Sequence, residues 1–504
     1  MLTSPLTRIL ALLVLVRAGS FGVAMPAQEP VQASLPVTRP PRDARVLILG
    51  GGVAGITAAN ALHENGISDF IILEARHELG GRMTSRSFGT TDNQYTVELG
   101  ANWIQGTQAK GGLENPIWGL GKKHNIATRT SSFSNITTFD ETGHVDFQDV
   151  VKASAKNYAR LTDAAGVRVS RDFVDTTARG GYSLTGAQPS NIYEMASEYF
   201  QFDWEFAQTP EETSWIASSW VNSSLINPWA NNYTFRSNAG GFSEVNAMSV
   251  DQRGFKTLVQ AEASSFLRDS QVRVNSTVTD VAYSTNGVAI TLNTGQILHA
   301  DYAISTFSLG VLQHNDVTFT PTLPEWKREA IHSMSMGVFT KIFFQFPEKF
   351  WFDTEMGLYA DRERGRYAVW QSLDHMNYFP GSGIIFVTGD FSKRIEALPD
   401  SQVKFEALAV LRSMWHSDPL FRGSYSNWPA SFLIERSVNL RANVGERLWF
   451  AGEATSMKHF GFLHGAYLEG REIGSAVAEC VKEGGCIGLE HVETVKNARP
   501  YELF

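Results

Sequence analysis

Short, wholly apolar runs broken by glycine recur along the chain, the pattern of strands buried on both faces. Residues 46–49 (Val-Leu-Ile-Leu) form the first run. It meets Gly50-x-Gly52-x-x-Gly55 at once, and an Ala-rich helical run over 56–65 follows. A second apolar run, Phe70 to Leu73, ends on Glu74. Strand, tight turn, helix and strand, with an acid about 20 residues beyond the glycines, is the arrangement of a dinucleotide-binding unit. In that reading Gly50 permits the turn, Gly52 lets backbone approach a pyrophosphate, and Gly55 lets helix and strand pack closely. Amides at the helix start, Ala54 among them, hold the phosphates, and Glu74 stands where a ribose-binding carboxylate belongs.

The same patterning predicts further strands. Val272 and Val274 alternate with polar residues. Runs over 281–283 and 288–292 flank Thr285-Asn286-Gly287, a hairpin signal. Strands follow over 297–300 and 301–306, and a strongly apolar strand over 338–344 carries one lysine, Lys341. A last strand from Leu448 ends in Gly452-Glu453. Between these, residues 123–245 read as helical and irregular. A helix is predicted over 190–204, with acids Glu194, Glu198 and Asp203 along it and Glu205 just beyond. Residues 401–414 also have helical spacing, and the segment after His459 opens a helix containing Ser475, Ala476 and Ala478. The class is α/β.

Length and composition add limits. The chain has 504 residues, 43% hydrophobic and 19% charged, enough for more than one core. A net charge of −9 argues against a nucleic-acid partner, and weakly favours cationic ligands. Residues 1–24 resemble a secretory signal: Arg8, a short apolar core over 9–16, then small residues, with cleavage after Ser20 or Ala24. That core is too short to span a bilayer. Residues 25–43 are Pro-rich and polar, a disordered leader. Sequons at Asn135, Asn222, Asn232 and Asn275 agree with export. Cys480 and Cys486 are the only cysteines, and either a small disulfide loop or two free thiols fits them. No cysteine or histidine pattern suggests a metal site.

Longer motifs carry a family resemblance. Glu74-Ala75 followed by Gly80-Gly81-Arg82 resembles the second half of the FAD signature of the flavin-containing amine oxidase superfamily. Glu98-Leu99-Gly100-Ala101-Asn102-Trp103 resembles the E-L-G-A-N-W motif of polyamine oxidases, and Tyr199 to Phe206 resembles their F-D-Y-E segment. Ala451-Gly452-Glu453 and Phe462-Leu463-His464-Gly465 resemble the C-terminal FAD signature. The resemblance, to secreted plant apoplastic and fungal polyamine oxidases, covers most of the chain after residue 43. It implies a Rossmann-like FAD domain (44–122, 246–322, 426–484) interleaved with an α+β substrate domain (123–245, 323–425), and a tail over 485–504. It breaks near Met414-Trp415, where about one strand and its loop are missing, judged at five to six residues per strand.

The resemblance also implies roles. Gly80, Gly81, Arg82, Gly100, Ala101, Asn102, Trp103, Glu453 and Leu463 would contact FAD, and Val278 would lend its backbone to the adenine. Asn115 to Trp118 would line the flavin ring and tunnel. Lys341 would bind a water beside flavin N5, although a lysine in mid-strand commonly snorkels to the surface. Glu205 would face the substrate, with Asp203 as fallback; by residue type alone a solvated acid fits Glu205 nearly as well. Tyr425 and Phe462 would sandwich the amine. Gln105 stands where plant relatives carry Glu, and can hydrogen-bond but not act as a base.

The implied reaction is hydride transfer from a carbon beside a polyamine's secondary nitrogen to flavin N5, imine hydrolysis to aldehyde and amine, and reoxidation by O2 to hydrogen peroxide. No cysteine lies where flavin is tethered in monoamine oxidases, so FAD is expected to be non-covalent. A secreted monomer without a membrane span is expected. An L-amino-acid oxidase is less apt, since no tunnel arginine matches. An amine-binding flavoprotein with slow turnover is the remaining alternative.

Overall fold

The structure, a computed structural model, describes residues 42–171, 173–220, 242–389, 397, 399, 411–412, 420, 422–430, 434–486 and 488–491. The signal, nearly all of the leader, Asn222, Asn232, the Met414-Trp415 junction and most of the tail lie outside them.

An eight-stranded sheet is built around the first apolar run. Its order is Val272–Arg273, Phe70–Leu73, Ala44–Leu49, Ile297–Ser305, Gly287–Leu292, Val278–Ser284, Thr318–Thr320, and Leu448–Phe450 also pairs Ile297–Ser305. The Ala44–Leu49 strand is parallel to both of its neighbours, Phe70–Leu73 and Ile297–Ser305. Its alternate residues feed opposite cores. Val46 and Ile48 pack with Ala58, Leu62, Ile473 and Val477, whereas Leu47 and Leu49 pack with Val281, Ile290 and Phe450. A fully buried aliphatic side chain contributes about 1.5–3 kcal/mol, which is why residues 46–49 are all apolar while the half-buried position before them carries Arg45.

The strands expected over 297–300 and 301–306 are one strand, Ile297–Ser305. Asp301 does not break it. The first half alternates in burial, and the second is wholly buried where the strand enters the middle of the sheet. The strand begun at Val272 stops at Arg273, because Asn275 takes a φ of +53°.

The helices Val53–Glu64 and Leu463–Glu483 lie against each other through glycine. A Cβ at Gly470 would sit 2.2 Å from the Ala54 carbonyl oxygen, and one at Gly474 would sit 2.4 Å from that of Ala58. Cys480 and Cys486, near the end of the second helix, are joined in a disulfide.

A separate seven-stranded sheet runs Leu411–Arg412, Thr340–Gln345, Ile384–Gly389, Val369–Ser372, Met356–Tyr359, Ile136–Asp140, Gly143–His144. The helix expected over 401–414 is corrected where it is described: Leu411 and Arg412 pair Phe343 and Ile342 as an edge strand. The open edge of Thr340–Gln345 captures them. The rest of that helix lies outside the described residues.

The helix expected over 190–204 is also different. An α-helix spans Ile192–Glu198, a π-helix Tyr199–Asp203, and a short α-turn Trp204–Phe206.

Candidate active site

The carboxyl ends of Ala44–Leu49, Phe70–Leu73, Ile297–Ser305 and Leu448–Phe450 converge on a cavity of about 500 Å³. Ligands of open parallel sheets bind in that crevice. Gly50, Gly52, Ala54, Glu74 and Val278 line one end. Gly50 turns with a φ of +119°, open to glycine at little cost. A Cβ on Gly52 would meet nothing nearer than the Gly81 Cα at 3.8 Å, so backbone is bare to the cavity there. The helix that begins at Val53 has no side-chain cap and no acid in its first turn, which leaves its amides for an anion. Gly55 is off the wall. Its Cβ would lie 2.0 Å from the Gly50 carbonyl oxygen, so its part is close packing.

Glu74 is buried at the wall. Its carboxylate accepts from the Gly51 amide at 2.7 Å and the Arg76 amide at 2.8 Å. A carboxylate has about four acceptor sites, so capacity remains for hydroxyls. Bare glycine, uncapped amides and this carboxylate fit a dinucleotide.

Farther along, Gly80, Gly81 and Arg82 line the cavity, and Arg82 donates to Glu453 at 2.9 Å and the Ser424 carbonyl at 3.0 Å. Glu453 also accepts from the Ser426 hydroxyl at 2.5 Å and the Gly461 amide at 2.7 Å. It thus ties the Arg82 turn to the C-terminal segment. The helix starting at Leu463 opens on this wall, again without a side-chain cap or first-turn acid.

Gly100, Ala101, Asn102, Trp103 and Gln105 form the next stretch of wall. Buried Lys341 faces them. Its ammonium donates to the carbonyls of Glu98 at 3.1 Å and Gly100 at 2.6 Å, and to Asn102 Oδ1 at 3.1 Å. It does not snorkel. Burial lowers its pKa to about 7, against the charge of Glu98, which raises it. Burial in turn lifts Glu98 to about 7, opposed by the Phe255 amide and Lys341.

The far end is aromatic. Trp103 meets Phe133 and Trp204 edge-on at 5.6 and 6.0 Å, and its indole donates to the Ser131 hydroxyl. Glu205, Tyr425 and Phe462 line the cavity here. Burial raises the Glu205 pKa, and among the described residues nothing hydrogen-bonds or ion-pairs with its carboxylate. The other acids on the wall are engaged: Glu74 and Glu453 as described, and Asp316 with Arg422 at 2.9 Å. The Tyr425 hydroxyl donates to the Glu205 backbone carbonyl at 3.0 Å. Burial, then Glu205 and Glu453, hold that phenol well above its usual range.

Two expectations are corrected. Asp203 does not reach the cavity; it is buried and paired with Arg364 at 2.6 Å, so its charge is spent within the protein. Asn115 to Trp118 are not on the wall. Asn115 caps the helix Pro116–Lys123 and holds the carbonyls of Gln105 and Gly106 at 3.0 and 2.8 Å, which makes it a support for the loop bearing Gln105. Phe133, Trp204, Phe206 and Phe339 line the wall without having been anticipated. Adjacency to Glu205 could have pointed to Trp204 and Phe206; nothing local marks Phe133.

A model of the flavin containing amine oxidoreductases matches residues 53–478, and the chain belongs to that family. FAD is accordingly its cofactor. Polyamine oxidase 6 of Oryza sativa subsp. japonica is 34% identical over 502 residues, covering 89% of this chain and 94% of that one. Polyamine oxidase 1 of Zea mays is 32% identical, covering 88% and 92%. Wild-type putrescine oxidase bound to putrescine superposes with a TM-score of 0.67 at 14% identity, over 86% of this chain and 99% of that one, a likeness of fold.

Proposed function

We propose that the chain is an FAD-dependent polyamine oxidase that binds its amine between Tyr425, Phe462 and Trp103, with a distal ammonium on Glu205. The observation that carries this is the Glu205 carboxyl, half-buried at an aromatic cavity end, with no cation among the described residues to meet it. A carboxylate so placed is costly unless a cation arrives. Aromatic faces suit the ammonium groups of such a ligand. Relatives named as polyamine oxidases over most of the chain support the same reading.

FAD bound there supplies the two-electron acceptor for the carbon beside nitrogen and returns the electrons to O2. The chain's residues bind, orient and hold protons. Trp103 and Trp204 exclude water from the amine, Gln105 offers hydrogen bonds, and Lys341 holds a proton at Nζ on the cavity wall.

Turnover of spermidine and spermine, with product identification, tests the proposal. Hydrogen peroxide and an aldehyde are expected from both, with monoamines far poorer. Binding of these amines without turnover would leave only an amine-binding flavoprotein.

FAD is held without a covalent bond. The chain's two cysteines are joined to each other, which leaves no thiol for a tether. Acid precipitation is expected to leave yellow flavin in the supernatant; flavin retained in the pellet contradicts this.

The protein is secreted in this reading. The signal-like start, the disulfide and the exposed Asn135 and Asn275 sequons support export. Glycan removal from secreted protein should lower its mass, and an unmodified mass at both sites would count against it.

A further inference from the structure

The π-turn at Tyr199–Asp203 separates the helix Ile192–Glu198 from Glu205. π-turns are rare and are found mostly at functional sites. One extra residue in a helix of 3.6 per turn rotates everything beyond it by about 100°. Without the π-turn, the Glu205 side chain would point about 100° away from its present direction. Something must hold so unfavourable a turn.

Arg364 bridges its two ends. The guanidinium Nη2 donates to Glu198 Oε1 at 2.9 Å and to Asp203 Oδ2 at 2.6 Å, and Nη1 binds Asp203 Oδ1. Glu198 immediately precedes the π-turn and Asp203 is its last residue. Both carboxylates are buried. Arg179 donates to both Glu198 oxygens, Oε2 at 2.8 Å and Oε1 at 2.5 Å, and the Arg364 guanidinium lies 5.8 Å from the Tyr199 ring centroid. A planar fork of donors can serve two carboxylates at once; a lysine's point charge cannot reproduce that geometry.

Beyond the turn, Trp204 and Glu205 are fixed by other segments. The Trp204 indole donates to the Thr388 hydroxyl at 2.7 Å, and Tyr425 holds the Glu205 carbonyl. Arg364 itself comes from the connection between Met356–Tyr359 and Val369–Ser372 and does not line the cavity.

We infer that Arg364 is a positioning residue for substrate specificity: by stapling the ends of the π-turn it aims Glu205 at the distal ammonium of the amine. The inference rests on the reading of Glu205 given above. It assigns part of the enzyme's charge selection to a side chain that never meets substrate.

The test is a mutant cycle on FAD-loaded enzyme, with Arg364→Lys and, as an independent cut of the same staple, Asp203→Asn. KM and kcat are measured for spermidine and for a monoamine, and binding of an unreactive polycation is measured by calorimetry. Either substitution is expected to raise KM for spermidine and weaken the polycation by about tenfold or more, with kcat and the monoamine unaffected. Combined with Glu205→Gln, either should add nothing to the loss from Glu205→Gln alone, since all act through one contact. Additive losses overturn the inference. So does an unaltered KM in both staple variants when Glu205→Gln raises it, which leaves the Glu205 reading intact. An unaltered KM in Glu205→Gln itself overturns both.

Discussion

Lys341→Met is expected to slow flavin reduction or reoxidation by about 10²–10⁴-fold, the range of a positioned proton donor or acceptor, while FAD stays bound. Methionine keeps the length and the apolar stem, and removes only the donors. The ammonium of Lys341 spans three oxygens of the 98–102 segment, whose residues Gly100, Ala101 and Asn102 line the cavity. A lysine that merely packed would have no reason to face a cavity at the cost of desolvation. Separate anaerobic reduction and reoxidation traces, with flavin content checked, decide the matter. Unchanged rates in both half-reactions would make Lys341 structural.

The pH profile gives this expectation a signature. Burial brings Lys341 to about 7 while Glu98 pulls it upward, so its amine is charged below neutrality and neutral above. Glu98 is itself at about 7, facing Lys341, Lys256 and Asp251. Wild type should therefore show a limb near pH 7 in the half-reaction that Lys341 serves, absent in Lys341→Met. The substrate nitrogen must be neutral to release hydride, so a second rise with pH should persist in both. A limb near 7 that survives the substitution would assign it to another group.

Glu205→Gln is expected to raise KM for spermine and spermidine by about tenfold to somewhat over a hundredfold. A charge-assisted contact is worth roughly 1.5–3 kcal/mol. It lies away from the reacting carbon, so it acts alike in ground and transition states and its loss appears mainly in KM. The other acids on the wall already have partners within the protein, and Gln105 carries no charge, so none can substitute. A monoacetylated polyamine, with one distal charge removed, should feel the substitution differently. An unaltered KM for every polyamine would remove Glu205 from the substrate site.

Much of the cofactor end was legible in the sequence because its demands are local. A turn at Gly50, bare backbone at Gly52 and a strand ending on Glu74 are all written within one contiguous stretch. The amine end is assembled from distant pieces. The apolar strand singled Lys341 out, but its role came only through a family motif, since its three acceptors lie some 240 residues away, at separations of 239 to 243. The π-turn was invisible, because its cause, Arg364, is 161 residues from Asp203 and leaves no period in the helix it distorts. Asp203 looked as available as Glu205 for the same reason. Asn115 was misplaced because capping a helix and lining a pocket ask for the same residue type. Leu411–Arg412 followed an open strand edge rather than their own helical spacing, a case of tertiary pairing overriding local preference.

Anaerobic mixing of the FAD-loaded protein with spermidine or spermine tests the central claim most directly. The flavin's visible absorbance should bleach with either polyamine, and admission of O2 should restore it with release of hydrogen peroxide. An oxidised flavin spectrum that persists under saturating concentrations of both polyamines would contradict the assignment.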